Sequence, residues 1–197
     1  MSALETDALD QADMSRLAEG HDTALNALMD RHAPAVYGFL CRFVRDQGAA
    51  ADLAQETFVR VYQRRADFKP GHKFSTWLFT IAGNLARNHL RSRSRRPEVS
   101  MDAGLNEDSP AMLDLLPSAE PSPAELAQKE EQRVAVRHAV AGLPDDLREA
   151  IVLCELEDRS VAEAAGILTT TVKAVESRLY RARQQLRQTL TRWLAAD

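Results

Sequence analysis

The stretch between Pro97 and Ser122 constrains the fold most. There Pro110, Pro117 and Pro121, with Pro123 just beyond, are interleaved with Asp102, Glu107, Asp108, Asp114 and Glu120. Proline removes a backbone donor and clashes with the preceding helical turn, and an acidic stretch has little apolar surface to bury. The segment reads as a flexible acidic linker; Leu113, Leu115 and Leu116 could dock somewhere, but a mobile tether is the favoured reading. On both sides apolar residues recur at three/four spacing, the mark of one helix face. Ala, Leu, Arg, Glu and Gln favour helix, and no long alternating strand pattern appears. The chain is therefore expected to be all-α. Two small helical domains, 13–96 and 123–197, are joined by the linker 97–122, and the weakly patterned residues 1–12 are expected to be frayed. A length of 197 residues suits two such domains.

The net charge of −4 argues against a general nucleic-acid binder, but the charge is uneven and its distribution matters more than its sum. Cys41 and Cys154 lie far apart in apolar helical stretches and read as reduced core thiols of a cytosolic protein. Without a Cys-x-x-Cys pair, a Cys/His cluster or a nucleotide motif, neither metal nor cofactor is expected. No apolar run reaches membrane-spanning length, and the acidic, polar N-terminus is no signal peptide.

In the first domain, Leu25, Leu28, Met29, His32, Val36, Phe39, Leu40 and Phe43 share a helix face, with Pro34 expected to kink or restart the helix. Leu53, Thr57, Phe58, Val61 and Tyr62 mark a second helix. Phe68 to Lys73 is a loop around Pro70-Gly71. Ser75 or Thr76 should cap a third helix that ends in a basic run, Arg87 to Arg96. In the second domain, Ser122-Pro123-Ala124-Glu125 opens a helix that Gly142-Leu143-Pro144 ends. Asp145 to Glu157 forms another. Ser160-Val161-Ala162-Glu163 is a capping box for a short helix, Thr169-Thr170-Thr171 a turn, and Val172 to Leu194 the last helix.

A short capped helix, a tight turn and a longer basic helix match a helix-turn-helix. Ala162, Ala165 and Gly166 would let its two helices approach closely. Val172, Val175, Leu179 and Leu186 would face the core. Lys173, Ser177, Arg178, Arg181 and Arg183 would face DNA, with Tyr180 against sugar or bases, since guanidinium forks suit guanine edges and phosphates. In the first domain Phe68, Phe74, Trp77 and Phe79 precede Arg87, Arg91, Arg93, Arg95 and Arg96. Aromatic faces stack unpaired bases and arginines attract phosphate, which suggests contact with unwound DNA. A place in the domain core is the alternative for Trp77 and Phe79. Asn84 and Asn88, one turn apart, can pair with base edges. Asp52, Gln55 and Glu56 lie opposite the apolar side of the second helix and suit a basic protein partner, or simply solvent.

These motifs together resemble the extracytoplasmic-function group of bacterial sigma factors over nearly the whole chain. Asp52-Leu53-Ala54-Gln55-Glu56-Thr57-Phe58 resembles the helix that docks on the beta-prime clamp. The resemblance thus implies polymerase contact by Asp52, Gln55, Glu56 and Phe58. Phe74-Ser75-Thr76-Trp77-Leu78-Phe79-Thr80-Ile81-Ala82-Gly83-Asn84 resembles the −10 recognition and melting segment, which assigns Phe68, Lys73, Trp77, Asn84, Arg87, Asn88 and Arg91 to −10 DNA. The loop Phe68 to Lys73 and Asn84 would handle an extruded base. Leu143-Pro144-Asp145-Asp146-Leu147-Arg148 and Glu176-Ser177-Arg178-Leu179-Tyr180-Arg181-Ala182-Arg183 resemble the domain that reads the −35 element, through Lys173, Glu176, Ser177, Arg178, Tyr180, Arg181 and Arg183. Glu176 departs from the arginine often found there; the two readings are a glutamate that accepts from cytosine N4 and one that faces away from the DNA. Core RNA polymerase (beta-prime clamp and beta flap), promoter DNA and an anti-sigma factor are the implied partners, with no catalysis.

The two promoter elements of such a factor lie roughly 20 base pairs apart, on the order of 70 Å. A linker of about 25 residues has a coil size of roughly 25–30 Å and a reach near ~85 Å, so it can span the gap at an entropic cost. Polymerase would meet that cost by fixing both domains. In the free protein the acidic linker is expected to screen the basic surfaces, giving weak DNA binding. A stand-alone helix-turn-helix repressor or activator is the competing reading, though it leaves the aromatic and arginine segment unexplained. A helical enzyme using Asp52, Glu56 and His72 or His89 is a third.

Overall fold

The computed structural model describes residues 3–95 and 123–194. The linker 97–122 lies outside them. Helices α1 (Ala3–Ala18), α2 (Thr23–Val44), α3 (Gln47–Gln63) and α4 (Phe74–Arg95) form the first unit, with a 3-10 turn at Arg65–Asp67. The second unit holds α5 (Pro123–Ala141), α6 (Asp145–Ile151), a π-helical continuation (Val152–Leu156), α7 (Val161–Ile167) and α8 (Val172–Leu194). Among the described residues there is no strand, and no helix is long and apolar enough to cross a membrane.

Helix α2 is the spine of the first unit. It buries Leu28, Val36, Phe39, Leu40 and Phe43 against Phe58 and Val61 of α3 and Phe74, Leu78 and Phe79 of α4. Each such side chain contributes about 1.5–3 kcal/mol of transfer free energy. The helix runs through Pro34 without a restart. One lost hydrogen bond is tolerated because buried residues on both sides of the proline, Leu28 and His32 before it and Val36 and Phe39 after, grip the same core. Asp46 caps α3, accepting from the Ala49 amide. The α4 helix begins at Phe74, one residue before the predicted cap. Ser75 is instead buried and accepts a hydrogen bond from Arg159.

The expected frayed N-terminus is corrected by α1. Its apolar anchors are few, Met14 and Leu17, and both are buried. What holds it otherwise is charge. The fully buried Asp10 bonds to Arg31 Nε at 2.9 Å and His32 Nε2 at 2.8 Å, and Asp13 accepts from Arg31 Nη2 at 2.6 Å. A buried carboxylate is retained only when paired in this way.

The second unit follows its capping signals closely. Ser160 and Glu163 form the reciprocal capping box of α7. Thr169, at φ 52, makes the turn, and Thr171 Oγ1 accepts from the Ala174 amide to start α8. Val175, Leu179 and Ala182 face inward as spaced, whereas Val172 is 45% exposed, a correction to its expected core position. Cys41 and Cys154 are free and partly buried, and burial pushes both thiols up.

Candidate nucleic-acid interface

Of the residues predicted to read duplex DNA, Lys173, Glu176, Ser177, Tyr180 and Arg181 are exposed on the outer side of α8. Their three/four spacing aligns them in one stripe. Tyr180 is 66% exposed, and its hydroxyl accepts from Gln184 Nε2 at 3.1 Å. Gln184 extends the stripe by a further turn and was missed; its position four residues after Tyr180 was the available signal. Glu176 is exposed with its neighbours, so it does not face away from them. Arg178 and Arg183 are placed differently. Arg178 is partly buried, 3.9 Å from Asp146, and Arg183 pairs with Glu155.

The predicted surface for unpaired DNA is built at the start of α4. Phe74 and Phe79 are buried, which settles Phe79 as core. Phe68 and Trp77 are only partly buried and lie 5.4 Å apart between ring centroids, both against Phe74. This leaves a half-open aromatic platform beside the loop. Asn84, Asn88 and Arg91 are exposed further along α4, and Asn84 Oδ1 accepts from Arg87 Nη2 at 2.6 Å.

On α3, Asp52 and Gln55 are exposed and Glu56, partly exposed, pairs with Arg60. Phe58 does not belong with them. It is 4% exposed, in the core, so it can seat the helix but not touch a partner directly. Val59, 42% exposed, is the apolar side chain that shares their side of the helix: positions 52, 55, 56 and 59 fall on one helical face.

The two units pack on each other, chiefly α4 against α7, and the buried apolar residues run as one cluster from Met14 to Ala182. Three carboxylates of the second unit engage cations of the first. Glu149 pairs with Arg87, Glu157 with Arg42, and Glu163 with Lys73 at 2.9 Å. Arg159 donates to Ser75 Oγ at 3.0 Å and lies 4.4 Å from the Phe79 ring centre. Helix ends are also exchanged. Arg148, fully buried, donates to the Phe43 carbonyl in the last turn of α2, and Arg45 donates to the Ala141 carbonyl that ends α5. Gly166 faces Thr76 across this contact, where an added Cβ would make an ordinary van der Waals contact at 3.9 Å from Thr76 Cγ2. Gly83, inside α4, leaves room for Glu149: an added Cβ would lie 3.2 Å from its Oε1.

These contacts set the acidities. Burial lifts the Glu149 carboxyl to about 7, against the pull of Arg87 and Arg178. Burial also raises Glu157, against Arg42. For Glu163 partial burial is outweighed by hydrogen bonds from Lys73 and Ser160, which hold it down at about 2. The three basic residues Arg87, Arg91 and Arg178 line an open cleft of about 550 Å³ together with Asp145, Asp146 and Glu149. Among the described residues no cluster of His, Cys, Asp or Glu could hold a metal.

Comparison with known proteins bears on this arrangement over nearly its whole length. Residues 28–96 match Sigma-70 region 2, and residues 133–186 match Sigma-70, region 4. The chain is 34% identical over 189 residues to the RNA polymerase sigma-H factor of Pseudomonas aeruginosa, covering 94% of this chain and 95% of that protein. It is 34% identical over 181 residues to the ECF RNA polymerase sigma-E factor of Escherichia coli, covering 90% and 92%. Among solved structures, CnrH in complex with the cytosolic domain of CnrY is similar at TM-score 0.66 and 29% identity, over 96% of this chain and 99% of that one. The sigma factor RpoE of Bartonella quintana, in complex with the anti-sigma factor NepR, is similar at TM-score 0.66 and 25% identity, over 84% and 96%. Matches to both units in one order set aside the stand-alone repressor and the helical enzyme. The chain belongs to the extracytoplasmic-function sigma factors, DNA-binding subunits, not enzymes, that direct RNA polymerase to initiate transcription at specific promoters.

Proposed function

We propose that units 13–96 and 123–197 read the −10 and −35 elements respectively, with 97–122 as the tether, in a cytoplasmic holoenzyme. The α8 stripe Lys173, Glu176, Ser177, Tyr180 and Arg181 enters the −35 major groove, Glu176 accepting from a cytosine. Phe68, Trp77 and Asn84 take an unstacked base of the −10 element, while Arg87, Asn88 and Arg91 hold its backbone. Asp52, Gln55 and Glu56, with Val59, dock on the beta-prime clamp, and the second unit meets the beta flap. The observation that carries this reading is an exposed polar stripe on α8 together with exposed Asn84, Asn88 and Arg91 on the α4 helix that carries half-buried Trp77, packed on Phe68, on elements in the order of the matched regions.

In the free protein, carboxylates of the second unit occupy the cations that phosphate would occupy: Glu149 on Arg87 and Glu163 on Lys73. Promoter binding exchanges these pairs for DNA, so the free chain binds DNA weakly and polymerase shifts it to the open form. An anti-sigma protein, the kind of partner seen with the Bartonella relative, would hold the closed form. Pull-down of core RNA polymerase followed by run-off transcription tests the reading; a chain that core polymerase ignores would overturn it.

A further inference from the structure

The N-terminal helix reaches the −10 loop in a way that neither family match covers, since the region 2 match begins at residue 28. Gln11 lies on α1 facing Pro70-Gly71. Its Nε2 donates to the His72 carbonyl at 2.5 Å, and its Oε1 accepts from the Gly71 amide at 3.4 Å. One side-chain amide thus grips both faces of the loop backbone at a point where Gly71 adopts φ +86. The loop's other ties are at its ends or between the units: Phe68 packs on Phe74 and Trp77, the His72 amide donates to the Lys69 carbonyl at 3.2 Å, the Trp77 amide donates to the Lys73 carbonyl at 3.3 Å, and Lys73 pairs with Glu163, a contact that opening of the two units removes. Helix α1 packs on both flanks of the loop, the Arg65–Asp67 turn and the start of α4. A second route runs through the core. Asp10 bonds to His32 Nε2, the His32 ring lies 5.2 Å from Phe74, and Phe74 backs Phe68 and Trp77.

We infer that α1 is a brace for promoter melting, and that Gln11 is a positioning residue that fixes the Phe68–Lys73 loop for capture of the extruded base. The inference rests on the −10 assignment above. A loop ordered beforehand loses less conformational entropy on capture, and a bound geometry populated for only a fraction of the time weakens apparent affinity by that fraction. Gln11 is not in the core, so its removal spares the fold.

The test is Gln11→Ala in the full chain, alone and in holoenzyme. Hydrogen exchange of the free protein should show the Gly71 amide exchanging faster in the variant, with the thermal midpoint unchanged. On promoters substituted in turn at each −10 base, the variant holoenzyme should form open complexes roughly 3–10-fold less well on the preferred base. Its preference among bases at the loop-read position should flatten, while affinity for core polymerase stays the same. Gln11→Glu, which keeps the acceptor but sets a carboxylate against the His72 carbonyl, should not rescue. Unchanged Gly71 exchange overturns the brace. Faster exchange with an intact base preference overturns the positioning role. Wild-type holoenzyme that gives no promoter-specific run-off overturns the −10 assignment itself, and the brace with it.

Discussion

The two surfaces proposed to meet DNA are built on opposite plans. On α8, Lys173, Glu176, Ser177, Tyr180 and Arg181 stand in solvent on a helix that its own caps and core complete. At the start of α4 the platform is half-buried, its loop is tied to α1, and Lys73 and Arg87 are already paired with carboxylates of the other unit. Under the proposed assignment, the difference follows from what each would read. A duplex groove presents its code to any correctly spaced polar stripe, whereas an unpaired base needs an apolar seat, which must be shielded until strands part. One surface is ready-made; the other is held in reserve.

The comparison breaks outright if either surface acts without polymerase. Asp52→Arg with Glu56→Arg should therefore abolish both functions together, lowering co-purification with core polymerase on the order of 100-fold, checked by pull-down of the folded variant. Asn84→Ala sharpens it. Open-complex yield, read by permanganate reactivity, should fall roughly tenfold with polymerase binding intact, because one base-edge partner is lost. Lys173→Ala should weaken promoter binding by the holoenzyme a few-fold and reduce the salt slope by about 1, the sign of a lost phosphate contact, without affecting melting.

The reserve itself should respond to pH. Glu149 is faced by Arg87 of α4, Arg178 of α8 and Asp145 of its own helix, with Arg91 and Asp146 along the cleft. Its carboxyl stands at about 7 in the docked form; parting of the units, which would open the site to water, is expected to return it toward the ordinary carboxylate value. A group raised in the docked state favours docking fully below its free value and loses that contribution as pH rises through about 7. Glu157 has the same sign. Glu163, held down at about 2, contributes above the ordinary carboxylate range and fails only in strong acid, so it adds no slope near neutrality. Interdomain distances measured by fluorescence transfer between about pH 6 and 8 should thus lengthen as pH rises, and Glu149→Gln should flatten the trend.

Much of this was legible in the chain. The limits of α5 and α8 and the capping box at Ser160 follow from local chemistry, and local chemistry is what spacing and caps encode. The α1 helix was not legible, because it is seated by Asp10 and Asp13 on Arg31 and His32, a long-range pairing that hydrophobic periodicity cannot register. Phe58 was assigned to the partner face by its motif, although its own spacing with Leu53, Thr57 and Val61 already placed it inward. The seam between units was hidden for the same reason as α1. Arg148 and Glu149 look like surface charges in sequence, and only the fold reveals that they are buried against α2 and α4.

Gly83 shows how finely that seam is set. A glycine inside a helix costs about 1 kcal/mol relative to alanine, yet a methyl there would sit 3.2 Å from Glu149 Oε1 and press on the carboxylate that pairs with Arg87. Alanine there would make the helix sturdier and crowd its neighbour in the same stroke. Local order and long-range restraint are thus traded at one carbon atom, and a lineage could retune how readily this factor lets go of itself without altering a single DNA-contacting side chain.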